Sequence, residues 1–165
     1  MLEKCINTLM ERNLEMDVKI YTCISYGGMQ KKESLYGACI VYVTPKGKIE
    51  ARYYYDTCGS SIGFNQVMLS ALVCAMQHLT KPCSIIAYVK TEYIENMLNR
   101  GLPAQWERDS WKNSKGESVA CARQWSELLR MTGIHELNFE SSNLVTDNEY
   151  IVQMEKQLKE MRKDR

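Results

Sequence analysis

The stretch from Val18 to Val43, VKIYTCISYGGMQKKESLYGACIVYV, constrains this chain more than any other. Val18 to Tyr26 is β-branched, aromatic and apolar on both alternations, the pattern of a central strand buried on both faces. Such a strand needs a packed layer on each side, which excludes a half-solvated sheet as the whole fold. The polar loop GGMQKKES turns the chain back, with Gly27 and Gly28 free to take positive φ, and Leu35 to Val43 reads as a second strand. TPKGK (Thr44 to Lys48) is a tight turn. From Ile49 the pattern alternates, with Ile49, Ala51, Tyr53 and Tyr55 on one face and Glu50, Arg52, Tyr54 and Asp56 on the other. This third strand has a wetter face and reads as an edge.

The chain then changes period. Phe64 to Leu79 is helical in pattern and stops before Pro82. Ser84 to Val89, SIIAYV, is a short continuous apolar run between helical segments, the appearance of a strand in the parallel part of a sheet. Thr91 can cap the next helix, which Gly101 closes. Residues 102–118 are polar, carry two tryptophans, and fit no single element. Val119 to Met131 resumes helical spacing, Ile134 to Phe139 reads as a last strand, and Ile151, Met154, Leu158 and Met161 mark a C-terminal amphipathic helix within residues 146–165. Ahead of the sheet, Leu2, Ile6, Leu9, Met10 and Leu14 predict an N-terminal helix over residues 1–16, which docks on the domain or offers its apolar face to a partner.

Composition narrows the function classes. Lys and Arg number 21 against 20 Asp and Glu, a net charge of +1, so no global field draws the chain to nucleic acid or to a membrane, and any basic patch is local. The 165 residues suit one domain with a substantial core. Seven cysteines contain no C-x-x-C pair, and only His78 and His135 offer imidazole, so a structural zinc site has almost no support. Cys39 and Cys74 sit in apolar runs and read as small core residues. Glu3, Lys4, Glu11 and Arg12 interrupt any signal region, and no run of about 18 apolar residues occurs, so a reduced, cytoplasmic protein without a membrane segment is expected.

Several local sequences carry a resemblance. VKIYTCIS, LYGACIVYV, FNQVML, AYVKTEYI, WKNSKGESVACARQWSELL and DNEY follow one another in an order that resembles the ribonuclease H family. They stand where that family has a first strand ending in T-D-G-S, a Y-G-A second strand, an N-x-M-E-L helix start, a strand end followed by D-S-x-Y-V, a W-K basic excursion before a W-x-x-L helix, and an N-E before the last helix. The resemblance implies an α/β fold with a five-stranded mixed sheet of order 3-2-1-4-5 and helices on both faces. It covers nearly all of residues 18–165, with the N-terminal helix as an addition to a single domain of 1–165.

Enzymes of this family cut the RNA strand of a hybrid with two divalent metals held by four carboxylates, because hard cations need clustered anionic oxygens. Carried over by position, the four carboxylates fall on Cys23, Met68, Lys90 and Val152, none of them acidic. The expectation is therefore a vestigial pocket, no metal or other cofactor, and no enzymatic activity. Phosphate contacts need only positioned cations. The first reading is accordingly a module that binds duplex or RNA–DNA hybrid through Asn65, Arg100, Arg108, Lys112 and Lys115, with Trp111 stacking or packing among them. The alternative is a protein-interaction module, an adaptor or inhibitor of the kind found in phages or mobile elements, binding through its terminal helices or sheet edge. A lower alternative is a nuclease whose carboxylates have moved to Glu92, Asp147 and Glu149.

Overall fold

A computed structural model describes residues 14–28, 32–141 and 148–164. Five strands form one sheet: β1 (Met16–Ser25), β2 (Ser34–Val43), β3 (Ile49–Cys58), β4 (Cys83–Val89) and β5 (Glu136–Ser141). Their order is β3-β2-β1-β4-β5, as expected, with β1 at the centre. β1 pairs antiparallel with β2 and parallel with β4, β2 pairs antiparallel with β3, and β4 parallel with β5. The helices are α1 (Phe64–Gln77), α2 (Tyr93–Asn99), α3 (Leu102–Arg108), α4 (Ala122–Thr132) and α5 (Glu149–Lys163).

Burial of β1 on both faces divides the core in two. Val18 and Ile20 point into a layer with α1 and α4, where Leu69, Leu72, Trp125 and Leu128 are fully buried or nearly so. Tyr21 and Cys23 point the other way, against Ile151, Met154 and Leu158 of α5. The close approach of α5 depends on Gly37 of β2. A Cβ placed there would stand 2.9 Å from Cε1 of Tyr55 and 3.1 Å from Sδ of Met154. The far end of α5 is held by Arg162, whose guanidinium donates to the Ser25 carbonyl oxygen (2.7 Å) and to that of Glu33 (2.7 Å), so one side chain grips both ends of the β1–β2 connection. At the opposite rim His135 is buried, and its Nδ1 accepts from the Cys83 backbone N–H at 3.0 Å. Burial pushes its pKa down, which favours this neutral ring.

Several boundaries differ from the sequence reading for local reasons. The polar stretch after Gly101 contains α3, which opens with Pro103 in its first turn, where a missing N–H costs nothing, after Gly101 takes φ +69°. α4 starts at Ala122 rather than at Val119, because Cys121 adopts φ +56° and breaks the helical path. Asn148 caps α5, its side chain accepting from the N–H groups of Tyr150 and Ile151. Met16, placed in the expected N-terminal helix, begins β1 instead; the rest of that helix falls on residues 1–13, outside the described residues apart from Leu14 and Glu15. No helix among the described residues is long and apolar enough to cross a membrane.

Gly37→Ala should force Tyr55 or Met154 to move and cost about 1–3 kcal/mol, the usual penalty of overpacking. Guanidinium unfolding monitored by circular dichroism should show a lower midpoint for this variant with unchanged native spectra.

Candidate functional site

The candidate site lies where β1 and β4 end beneath α5. Thr22 is buried and its hydroxyl donates to the Tyr88 carbonyl oxygen at 2.8 Å, with the Met68 sulfur at 3.4 Å. This contact ties the two central strands to α1. The next residue, Cys23, turns to the α5 side and is 4% exposed. Burial pushes its thiol up to about 11; the Glu155 carboxylate adds to the shift and the Lys90 ammonium opposes it. Cys23, Lys90 and Glu155 therefore share one electrostatic neighbourhood. Lys90 itself is exposed, just past the end of β4, on a groove of about 260 Å³ that Glu92, Glu95 and Glu140 also line.

Beside Cys23, Tyr21 stacks on Tyr88 (ring centroids 4.6 Å apart, planes 9° apart) and on Tyr150 (5.3 Å). The Asn148 side chain meets the Tyr21 hydroxyl. The same residue thus caps α5 and fixes an aromatic trio at the rim of the site.

The four positions picked out by the resemblance are distributed unequally. Cys23 and Lys90 interact; Met68 is fully buried in the core layer under α1, on the side to which Thr22 points; Val152 lies on the solvent side of α5, 38% exposed. Carrying the pattern over by position selects Val152, whereas the α5 carboxylate whose charge acts on the Cys23 thiol is Glu155, about one turn further on. Its signal is present in the helical spacing, since Glu155 adjoins Met154 on the buried stripe. Glu92 is exposed at the start of α2, Glu149 is exposed in the first turn of α5, and Asp147 lies outside the described residues.

Among the described residues no group of three or more His, Cys, Asp or Glu side chains is placed to hold a metal ion. A buried neutral thiol, a thioether and an ammonium do not fit a pair of hard divalent cations, so no step through such ions is derived.

The residues expected to touch nucleic acid lie on the α1–α4 side. Asn65, at the start of α1, accepts from the Thr91 hydroxyl at 2.9 Å and so joins α1 to the β4–α2 loop. Arg100, Arg108, Lys112 and Lys115 are exposed, following one another from the end of α2 to the tip of the excursion. Lys112 donates to the Ser118 hydroxyl at 3.0 Å across the base of that tip. Trp111 is half-buried, packs on the core layer, and takes φ +61°. Trp106 meets Trp125 edge to face at 5.7 Å.

No family model matches the chain. The Ribonuclease H of Chlorobaculum parvum is 26% identical over 137 residues, covering 83% of this chain and 89% of the relative. That of Chlorobium luteolum is 28% identical over 130 residues, 74% of this chain and 89% of the relative. The chain is similar to ribonucleases H along most of its length. Solved structures agree in fold. LC9-RNase H1, a type 1 RNase H with the type 2 active-site motif, matches with a TM-score of 0.61 at 18% identity, over 76% of this chain and 62% of that one. The foamy viral protease-reverse transcriptase in complex with RNA/DNA hybrid matches with 0.58 at 13% identity, over 82% of this chain and 18% of that one.

This relationship corrects one expectation from the sequence. The absence of carboxylates at four positions argues against an enzyme, yet the ribonuclease H-like relatives that match the chain along most of their length carry the name of an enzyme. Missing acids at aligned positions describe the residues there and do not by themselves establish inactivity.

Burial keeps Cys23 and Cys39 neutral, their thiols pushed up to about 11 and about 12 from an ordinary 9.0. Groups raised in this way contribute stability that is complete below pH 9.0 and is lost as the pH climbs through their folded values. The unfolding midpoint should therefore fall between pH 9 and 11, and iodoacetamide below pH 9 should label these two cysteines only in the unfolded protein, as read by peptide mass spectrometry.

Proposed function

We propose that this chain acts on nucleic acid, binding a double helix, an RNA–DNA hybrid above all, along the side that carries Arg100, Arg108, Lys112 and Lys115. The observation that carries the reading is the match to proteins named Ribonuclease H over 89% of their length. Supporting it, one protein of the same fold is described in complex with RNA/DNA hybrid and, in another structure, with dsDNA. The physical chemistry is compatible with a near-neutral chain. Exposed cations strung along one edge release counterions from a phosphate backbone whatever the net charge elsewhere. Arg100, Arg108 and Lys115 form no ion pair with any described residue, so none has to break an internal partner to engage phosphate.

Packed against the core, Trp111 serves this reading as a support for the excursion. The strained backbone at Ser110 and Trp111 (φ +56° and +61°) sets the direction in which the Lys112 to Ser118 tip projects, and the bridge between those two residues closes it.

Fluorescence anisotropy with a labelled hybrid tests the proposal. Affinity should fall steeply with salt, and the triple variant Arg108→Gln, Lys112→Gln, Lys115→Gln should bind more weakly. Its log–log salt slope should be shallower by about 0.9 for each phosphate contact removed. Failure to bind hybrid or duplex at low salt sinks the reading. Strand cleavage is scored in the same samples with magnesium or manganese added; cleavage lost in Glu155→Gln would extend the function to hydrolysis at the candidate site.

A further inference from the structure

The two edges of the sheet are built differently. β5 is six residues long, and Glu136, Asn138 and Glu140 stand exposed along it, the short and charged form by which edges resist pairing. β3 is ten residues long and runs beside β2 through ten consecutive pairs without a bulge. It contains neither lysine nor proline. No described strand pairs with its outer side. An unblunted edge of this length is a template for another strand.

We infer that β3 is a self-association edge, and that two copies of this chain join antiparallel across it to make one continuous sheet. The sequence of β3, IEARYYYDTC, is complementary to itself in one register. A two-fold axis perpendicular to the sheet keeps like faces together and pairs residues symmetrically about its centre. Centred on Tyr54, it sets Arg52 opposite Asp56 of the second copy, twice. Both residues are exposed and share one face of the strand. On the other face the same register sets Tyr53 opposite Tyr55, again twice. Those two rings already lie parallel within one chain, 6.4 Å apart with planes 2° apart, so four rings would continue as one row across the junction.

Neighbouring registers are worse. Centred on Tyr53 the axis opposes Glu50 to Asp56, and centred on Arg52 it opposes that arginine to itself. Centred on Tyr55 it sets Asp56 against Tyr54 and leaves Arg52 without a carboxylate. A centre at Ala51 matches Arg52 with Glu50 but engages only the first half of the strand. The Tyr54 register alone combines a nearly full-length pairing with opposite charges facing.

The test is a pair of charge reversals read by light scattering after size exclusion and by sedimentation across a concentration series. The wild-type chain should pass from monomer to dimer as concentration rises. Arg52→Glu places two like-charge pairs across the axis, and so does Asp56→Lys; each alone should weaken dimerisation by about tenfold or more. Mixing the two variants should restore a one-to-one heterodimer. The introduced glutamate of one copy would then face the introduced lysine of the other, and the two unaltered residues, Arg52 and Asp56, would face each other as in the wild type. Circular dichroism confirms that each variant is folded. A wild-type chain that stays monomeric at every concentration overturns the inference. So does a dimer that survives both reversals, or a mixture that fails to heal, since either would put the contact elsewhere.

Discussion

Everything in this structure follows from a central strand that cannot meet water on either face. β1 carries Val18 and Ile20 on one side and Tyr21 and Cys23 on the other, all nearly or fully buried. A sheet with such a strand at its centre must be roofed twice, and the chain does so with helices of different character. α1 is buried along most of its length and makes the thick layer with α4. α5 is a thin roof that buries only Ile151, Met154 and Leu158 and keeps lysines and glutamates outward. The candidate site is the seam between these layers, where Thr22 faces one and Cys23 the other.

That seam explains why its chemistry is unusual for its position. α5 runs along β1 from Tyr21, under Tyr150, to Ser25, under Arg162, and Cys23 lies between them, within electrostatic reach of Glu155 on the helix and of Lys90 just past β4. Lys90 and Glu155 act with opposite sign on a thiol that burial keeps protonated. The charges nearly balance, and the Tyr21, Tyr88 and Tyr150 stack closes the rim. Fold and local donor chemistry thus give separate information: the first is carried by the whole sheet and its order, the second by a handful of side chains at one seam.

Much of the architecture was legible in the sequence because strands and helices bury faces with different periods. The doubly buried β1, the alternation of β3 and the apolar run of β4 were enough to order the sheet once the family resemblance was added. What escaped was set by backbone geometry rather than by pattern. α3 has little apolar periodicity and is made by Pro103 and by Gly101 in the left-handed region. The late start of α4 comes from Cys121 at positive φ, a conformation no propensity anticipates for cysteine. In the site, carrying the pattern over by position selects Val152, and only the three-dimensional path of the helix over β1 shows that Glu155 is the α5 carboxylate whose charge acts on Cys23. The tryptophans of the excursion illustrate the same limit, since spacing does not show that Trp106 and Trp111 each pack one part of the ring on the core and leave the rest at the surface.

The grip of Arg162 on Ser25 and Glu33 has a consequence in time. It links residues 137 positions apart, among the longest-range hydrogen bonds between the described residues. A chain made at about 5–20 residues per second exposes the α5-facing side of the first hairpin for on the order of ten seconds before its cover exists. During that interval Tyr21, Cys23 and Leu35 form a naked apolar surface next to an unpaired β3 edge. The apolar face of the first hairpin thus waits for α5, and slower synthesis of the segment between them lengthens its exposure without touching any residue of the sheet.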